Sequence, residues 1–187
     1  MQGAVAGAGW HIAVGMTTHG FIDPIDRVDH VRGAPDGRVI LEYGDYECPY
    51  SRMAYRAIQE VEQRLPGRVR FAFRHFPLVQ IHPHALAAAM AAEAAARQER
   101  FWDMHDLLFH RQKALEDDDL TRYGRELGLE PAAFDRDRRD APALERIQRD
   151  VTSGIASGEV LGTPTLFIDG AVHRGAYDAD TLLEALA

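Results

Sequence analysis

The sequence predicts an α/β fold. Two observations carry this. A strand pattern, a helix pattern and a second strand pattern follow one another between residues 38 and 76, and a strand pair followed by a helix closes the chain from residue 164 onward. The stretch between them reads as helical, so the order is β-α-β, a helical block, then β-β-α. A crossover of this length implies a right-handed parallel strand pair. At 187 residues the chain is long enough for one domain with a full core.

Met1 to Gly33 holds no sustained period of 2 or 3.6, and Asp23-Pro24 reads as a turn. Residues 1–34 are therefore expected to form an N-terminal extension that adds one edge strand or lies along the surface. Ala34-Pro35-Asp36-Gly37 is a turn signal. Arg38 to Gly44 is the first strand. Its run Val39, Ile40, Leu41 is too apolar for a one-sided sheet and implies cover on both faces. Glu42 sits inside that strand, where an acid needs a partner or a task. Pro49 to Leu65 is a helix, because Pro suits the first helical position and Met53, Ala57, Ile58, Val61 and Leu65 form a stripe. Pro66-Gly67 stops it. Arg68 to Phe76 alternates, with Val69, Phe71 and Phe73 on one face, and is the second strand.

The helical block begins with the Ala-rich Ala85 to Ala96. Arg100 to Leu115 follows, with Phe101, Met104, Leu107 and Leu108 at helical spacing. Asp117-Asp118-Asp119 is expected to cap a helix through Leu127, ended by Gly128. Glu130-Pro131 opens a short helix and Ala141-Pro142 a longer one, through about Ser157. Pro164 to Ile168 is a strand, Asp169-Gly170 a hairpin turn and Ala171 to Arg174 the return. Asp178 caps a closing helix that runs to Ala187.

Composition narrows the function. The net charge is −8 with no basic block, which argues against nucleic acid. No apolar run approaches the roughly 18 residues a membrane span needs. Met1 to Met16 lacks a basic start and a dense apolar core, so no secretory signal is expected. The cytoplasm is the expected location, or the periplasm for a chain trimmed of its leader. The single cysteine excludes an intramolecular disulfide, and with it any disulfide framework.

That cysteine, Cys48, stands where the first strand turns into the first helix. A lone Cys is usually an inert, buried, small apolar residue. At a helix N-terminus, however, the dipole and the free N–H groups stabilise a thiolate, and exposure there selects reactive thiols. Ser51 lies one turn further on the same face. It either donates to the thiolate or caps backbone groups. Desolvation would raise the pKa of Glu42, and a carboxyl poised near neutrality could exchange a proton with the thiol through a water. Gly162-Thr163-Pro164-Thr165 precedes an apolar strand. A cis bond at Pro164 would leave the backbone groups of Thr163 free to pair with an extended ligand. The nine histidines include His82 and His84 around a Pro, and His105 and His110 on a helix. They form no His-Glu-x-x-His set and no Cys joins them, so surface or cap roles are expected and no metal site.

Cys48-Pro49-Tyr50-Ser51 after a strand, with Gly162-Thr163-Pro164-Thr165 before a later one, resembles the DsbA-like branch of the thioredoxin superfamily. His75-Phe76-Pro77-Leu78 and the stretch from Phe101 to Phe109 are similar to segments common in that branch. The resemblance spans about residues 35–187. It implies a thioredoxin fold, a central mixed sheet flanked by helices, with an all-helical insertion at about 79–158. It also implies that Cys48 is the attacking thiol, Pro49 and Tyr50 the dipeptide beside it, Pro164 a cis-proline with Thr163 before it, and Glu42 the buried acid. The resolving cysteine of the family falls on Ser51 and is missing. The expected activity is thiol–disulfide exchange in monothiol mode, with protein or small-molecule thiols and disulfides as partners. No cofactor is expected beyond glutathione as a co-substrate. A glutathione-dependent transferase or isomerase and a redox-inactive binding module stay open as alternatives.

Overall fold

The computed structural model describes Ile22, Pro24 and residues 28–187. The expectations about residues 1–21, Asp23 and residues 25–27, including the one that they hold no secretory signal, lie outside the described residues. Five strands form one sheet: β1 (His30–Gly33), β2 (Arg38–Gly44), β3 (Val69–His75), β4 (Thr165–Ile168) and β5 (Ala171–Val172). Seven helices accompany it among the described residues: α1 (Pro49–Arg64), α2 (Ala85–Ala96), α3 (Phe101–His110), α4 (Asp117–Glu126), α5 (Pro131–Asp137), α6 (Ala141–Ser157) and α7 (Ala179–Ala185).

The strand order is β1-β3-β2-β4-β5, which puts β2, with its Val39-Ile40-Leu41 run, in the middle. β2 and β3 are parallel, from Arg38 opposite Val69 to Gly44 opposite His75, and the remaining pairs are antiparallel. The parallel pair follows from the α1 crossover. The antiparallel β4–β5 pair follows from the Asp169-Gly170 turn, where both residues have positive φ, 45° and 82°.

Both faces of β2 are covered. Ile40, Phe71 and Phe73 pack into the larger core with residues of α1, α2, α3 and α7. Leu41, Tyr43, Ala72 and Phe167 pack on the other face with Phe76 and Val160. Helix α6 lies on that second face. A Cβ on its Gly154 would come within 3.0 Å of the Phe76 ring and 3.1 Å of the Tyr43 ring, so the missing side chain permits the close approach.

The element ends differ from the sequence expectation in a few places. Glu116, not the aspartate run, is the N-cap of α4. It forms a capping box with Asp119, so Asp117–Asp119 fill the first turn, where carboxylates meet the positive end of the dipole. β5 ends at Val172 rather than Arg174. Met53, placed on the buried stripe of α1, is 53% exposed. Ala57, Ile58 and Val61 of the expected stripe are buried, joined by Ser51, Ala54 and Tyr55.

Candidate functional site

Strand β2 ends at Gly44 and the chain turns through Asp45–Glu47 into α1. Cys48 is the N-cap of that helix, with extended backbone, and Pro49 occupies its first turn. Gly44 is needed here, because a Cβ would lie 2.4 Å from the Phe73 ring and 2.8 Å from a Glu42 carboxylate oxygen. The sequence leads one to expect an exposed thiol, but Cys48 is only 3% exposed. The loop before β4 covers it: the thiol donates to the Thr163 carbonyl at 3.2 Å. The Thr163–Pro164 bond is cis. The Thr163 carbonyl is therefore taken by the thiol rather than left open, and the Pro164 carbonyl accepts from the Tyr177 hydroxyl at 2.9 Å.

Ser51 is fully buried, and its hydroxyl oxygen accepts from the Asp45 N–H at 3.2 Å. Its oxygen thus fixes the turn that carries the cysteine, which is the backbone-binding one of the two roles expected for it. Pro49 and Tyr50 face solvent, Tyr50 being 60% exposed. The turn is fixed further from the helical block. Asp45 accepts from the N–H groups of Glu47 and Leu78 and pairs with His82 at 2.8 Å. Glu47 accepts from the His84 N–H at 2.7 Å and pairs with the His84 ring at 2.9 Å. The Glu47 hydrogen bond holds the His84 imidazole above its ordinary pKa. Gln112, in the loop after α3, donates to the carbonyls of both Tyr46 and Cys48 at 2.8 Å.

Glu42 is fully buried on β2, and neither carboxylate oxygen has a hydrogen-bond partner. Desolvation pushes its pKa up to about 8, against a small opposing pull from Arg32. Tyr177 stands close enough to feel both Glu42 and Cys48. Burial raises its phenol first, and the negative charges of those two groups raise it further. Sequence reading missed Tyr177, which comes from a loop, and Gln112, which lies past the end of α3 at His110 in a stretch expected to stay helical to Leu115; each lies more than sixty residues from Cys48 along the chain.

A second polar cluster lies deeper. The Nε2 atoms of His30 and His75 each approach the same oxygen of Glu93 at 2.8 Å. The His30 ring stacks on Phe101 with centroids 3.4 Å apart, and Arg146 lies 3.7 Å from the Glu93 carboxylate. Burial opposes the Glu93 charge, yet the two histidine hydrogen bonds hold its pKa below the usual carboxylate range. These three side chains could converge on a metal ion, a set that sequence spacing did not reveal because its members come from β1, β3 and α2. His105 also departs from its expected surface role. It is fully buried among Tyr46, Phe73 and Phe109, bonds to the Tyr46 hydroxyl at 3.1 Å, and burial lowers its pKa.

Among the described residues no helix is long and apolar enough to cross a membrane. Curated relatives include a protein named Na(+)/H(+) antiporter NhaA 1 from Mycolicibacterium gilvum, 44% identical over 167 residues. Another is the Na(+)/H(+) antiporter NhaA 3 of Salinispora tropica, 43% identical over 166 residues. The matches cover 87% and 88% of this chain but only 27% and 25% of those proteins, so the chain spans about a quarter of their length. The antiporter name belongs to the whole of each relative.

Solved structures place the fold. A thioredoxin-like oxidoreductase from Silicibacter pomeroyi superposes with a TM-score of 0.74 at 26% identity, over 84% of this chain and 89% of that one. BdbD from Bacillus subtilis gives 0.77 at 19% identity, over 90% and 96%. The Wolbachia pipientis alpha-DsbA1 gives 0.73 at 20% identity, over 87% and 90%. The family profile described as thioredoxin matches residues 26–187. With a mixed five-stranded sheet, a helical block between β3 and β4, and a cysteine at the start of α1, the chain belongs to the thioredoxin family and has the DsbA-like form of its fold.

Proposed function

We propose that the chain catalyses thiol–disulfide exchange on protein or small-molecule disulfides through a monothiol site. Cys48 is the nucleophile, and an external thiol such as glutathione resolves the mixed disulfide. The observation that carries this reading is the placement of Cys48 at the N-cap of α1 with its thiol against the Thr163 carbonyl of the loop before β4. The sulfur sits at the start of α1, in a family whose chemistry is built at that position.

The geometry supports the following roles. The Cys48 thiolate attacks one sulfur of a substrate disulfide. A Cys48–substrate disulfide forms and the other sulfur leaves as a thiolate. Glu42, protonated over most of the neutral range, supplies or takes a proton through a water. Ser51 holds the turn through Asp45, and Tyr177 holds the Pro164 carbonyl. The Thr163–Pro164 backbone and the exposed Pro49-Tyr50 dipeptide form the substrate platform. Ser51 cannot close an internal disulfide, so the mixed disulfide waits for a thiol from outside.

Replacing Ser51→Cys tests whether the rest of the site is competent. Insulin reduction and peptide oxidation are expected to rise at least about tenfold over the natural chain, because an internal dithiol passes on a disulfide without waiting for a second molecule. An unchanged rate in a folded variant whose introduced thiol does pair with Cys48 would support a redox-inactive binding module.

A further inference from the structure

We infer that a basic pocket beside Cys48 binds a carboxylate of a low-molecular-weight thiol and so selects an anionic thiol to resolve the mixed disulfide. The inference rests on the exchange reading given above. The pocket has a volume of about 310 Å³ and is lined by Arg52, His110, Arg111, Gln112 and Lys113. Cys48 does not line it, but two of its lining residues hold the Cys48 backbone carbonyl. Gln112 donates to the Cys48 carbonyl at 2.8 Å, and the Arg52 N–H donates to the same carbonyl at 3.2 Å, so the wall of the pocket lies one helical turn from the nucleophile.

The charges in and around the pocket do not cancel. Arg111 is engaged by Glu126 at 2.6 Å, and the His110 ring is bonded to the Asp106 carbonyl at 2.7 Å. The Arg52 and Lys113 side chains have no ion pair or hydrogen bond among the described residues. The acids of the neighbouring turns, Asp118 excepted, are committed elsewhere. Glu47 and Glu116 pair with His84, Asp117 pairs with Arg138 and Arg139, and Asp119 pairs with Arg122. Two uncompensated cations thus face one cavity in a chain whose net charge is −8. Such a cavity raises the local concentration of anions.

The fitting ligand carries a carboxylate and a thiol on one small flexible frame, as glutathione does. With a carboxylate held by Arg52 and Lys113, its thiolate attacks the Cys48 sulfur of the mixed disulfide. The Cys48–substrate bond breaks, the substrate sulfur leaves and takes up the proton, and a Cys48–glutathione disulfide forms. A second glutathione attacks the glutathione sulfur of that bond and releases Cys48 as a thiolate. The sum is one substrate disulfide reduced and two glutathiones oxidised to their disulfide.

The test loads Cys48 with 2-thiopyridyl disulfide and follows release of pyridine-2-thione by absorbance. Glutathione and the cationic thiol cysteamine serve as nucleophiles. Arg52→Gln with Lys113→Gln is expected to lower the glutathione-to-cysteamine rate ratio about fivefold or more, and added salt to lower it in the natural chain but not in the variant. Arg52→Glu should lower it further. A ratio unchanged within about twofold, or an equal slowing with both thiols, would overturn the pocket assignment while leaving Cys48 as the nucleophile. A protein that cannot be loaded at all, by contrast, would fail at the exchange reading itself.

Discussion

Two glutamates lie buried over the same side of the sheet and are treated in opposite ways. Glu93 meets two histidines on one oxygen and keeps its charge. Glu42 meets no hydrogen-bond donor and is pushed toward the neutral acid, with a pKa of about 8. Burial works on both in the same direction, so the difference comes from the partners. Glu93 ties β1, β3 and α2 together. Glu42 ties nothing together, and a carboxyl kept without partners in a core is a burden on stability unless it has a task. Tyr177 lies within electrostatic reach of both Glu42 and Cys48, which supports the proton-relay role proposed for Glu42.

The contrast can be broken from either side. Glu93→Ala removes the anchor of two buried histidines and is expected to lower stability by about 3–5 kcal/mol at neutral pH, read by urea unfolding. The depressed pKa of Glu93 gives a contribution present above the ordinary value of 4.5 and lost as pH falls below it. A change under about 1 kcal/mol would show that the cluster is not a tie.

Glu42→Leu should act the other way. The folded pKa of Glu42 lies above the unfolded one, so the unfolded chain gives up the proton first. Stability therefore falls as pH rises from about 4.5 to about 8. The leucine variant is expected to be more stable by roughly 2–4 kcal/mol at pH 8 and nearly unchanged at pH 5. Its exchange rate at pH 7 should drop at least about tenfold if Glu42 moves the proton. Parallel stability curves for variant and natural chain would contradict the reading of Glu42 as a neutral acid.

Tyr177→Phe sharpens the comparison with the smallest effect. Loss of the bond to the Pro164 carbonyl is expected to lower stability by about 1 kcal/mol. The exchange rate should fall less than about threefold. A much larger fall in rate would move Tyr177 from holding the loop to sharing the proton transfer.

The same contrast marks how much was legible in the sequence. Glu42 could be found because it interrupts an apolar strand six residues before Cys48. Glu93 could not, since it sits in an alanine-rich helix and its partners lie 63 and 18 residues away. Elements opened by Pro49, Pro131 and Pro142 were placed well, because proline fixes the first helical turn locally. Ser51 was placed on the correct face of α1, but its partner depends on how the Asp45 turn folds back. The burial of Cys48 beneath Thr163 is a contact across 115 residues that no local pattern encodes. His105 was misread because residue type suggests a surface, whereas its surroundings are an aromatic cluster formed by three separate elements.

The central claim is that Cys48 forms a mixed disulfide that only an external thiol resolves. Intact-protein mass measurement after incubation with a peptide disulfide tests it most directly. The expected result is a stoichiometric peptide adduct on Cys48 that persists without added thiol, disappears with glutathione, and is absent from Cys48→Ala. No adduct on the natural chain, or an adduct that resolves without any added thiol, would contradict it.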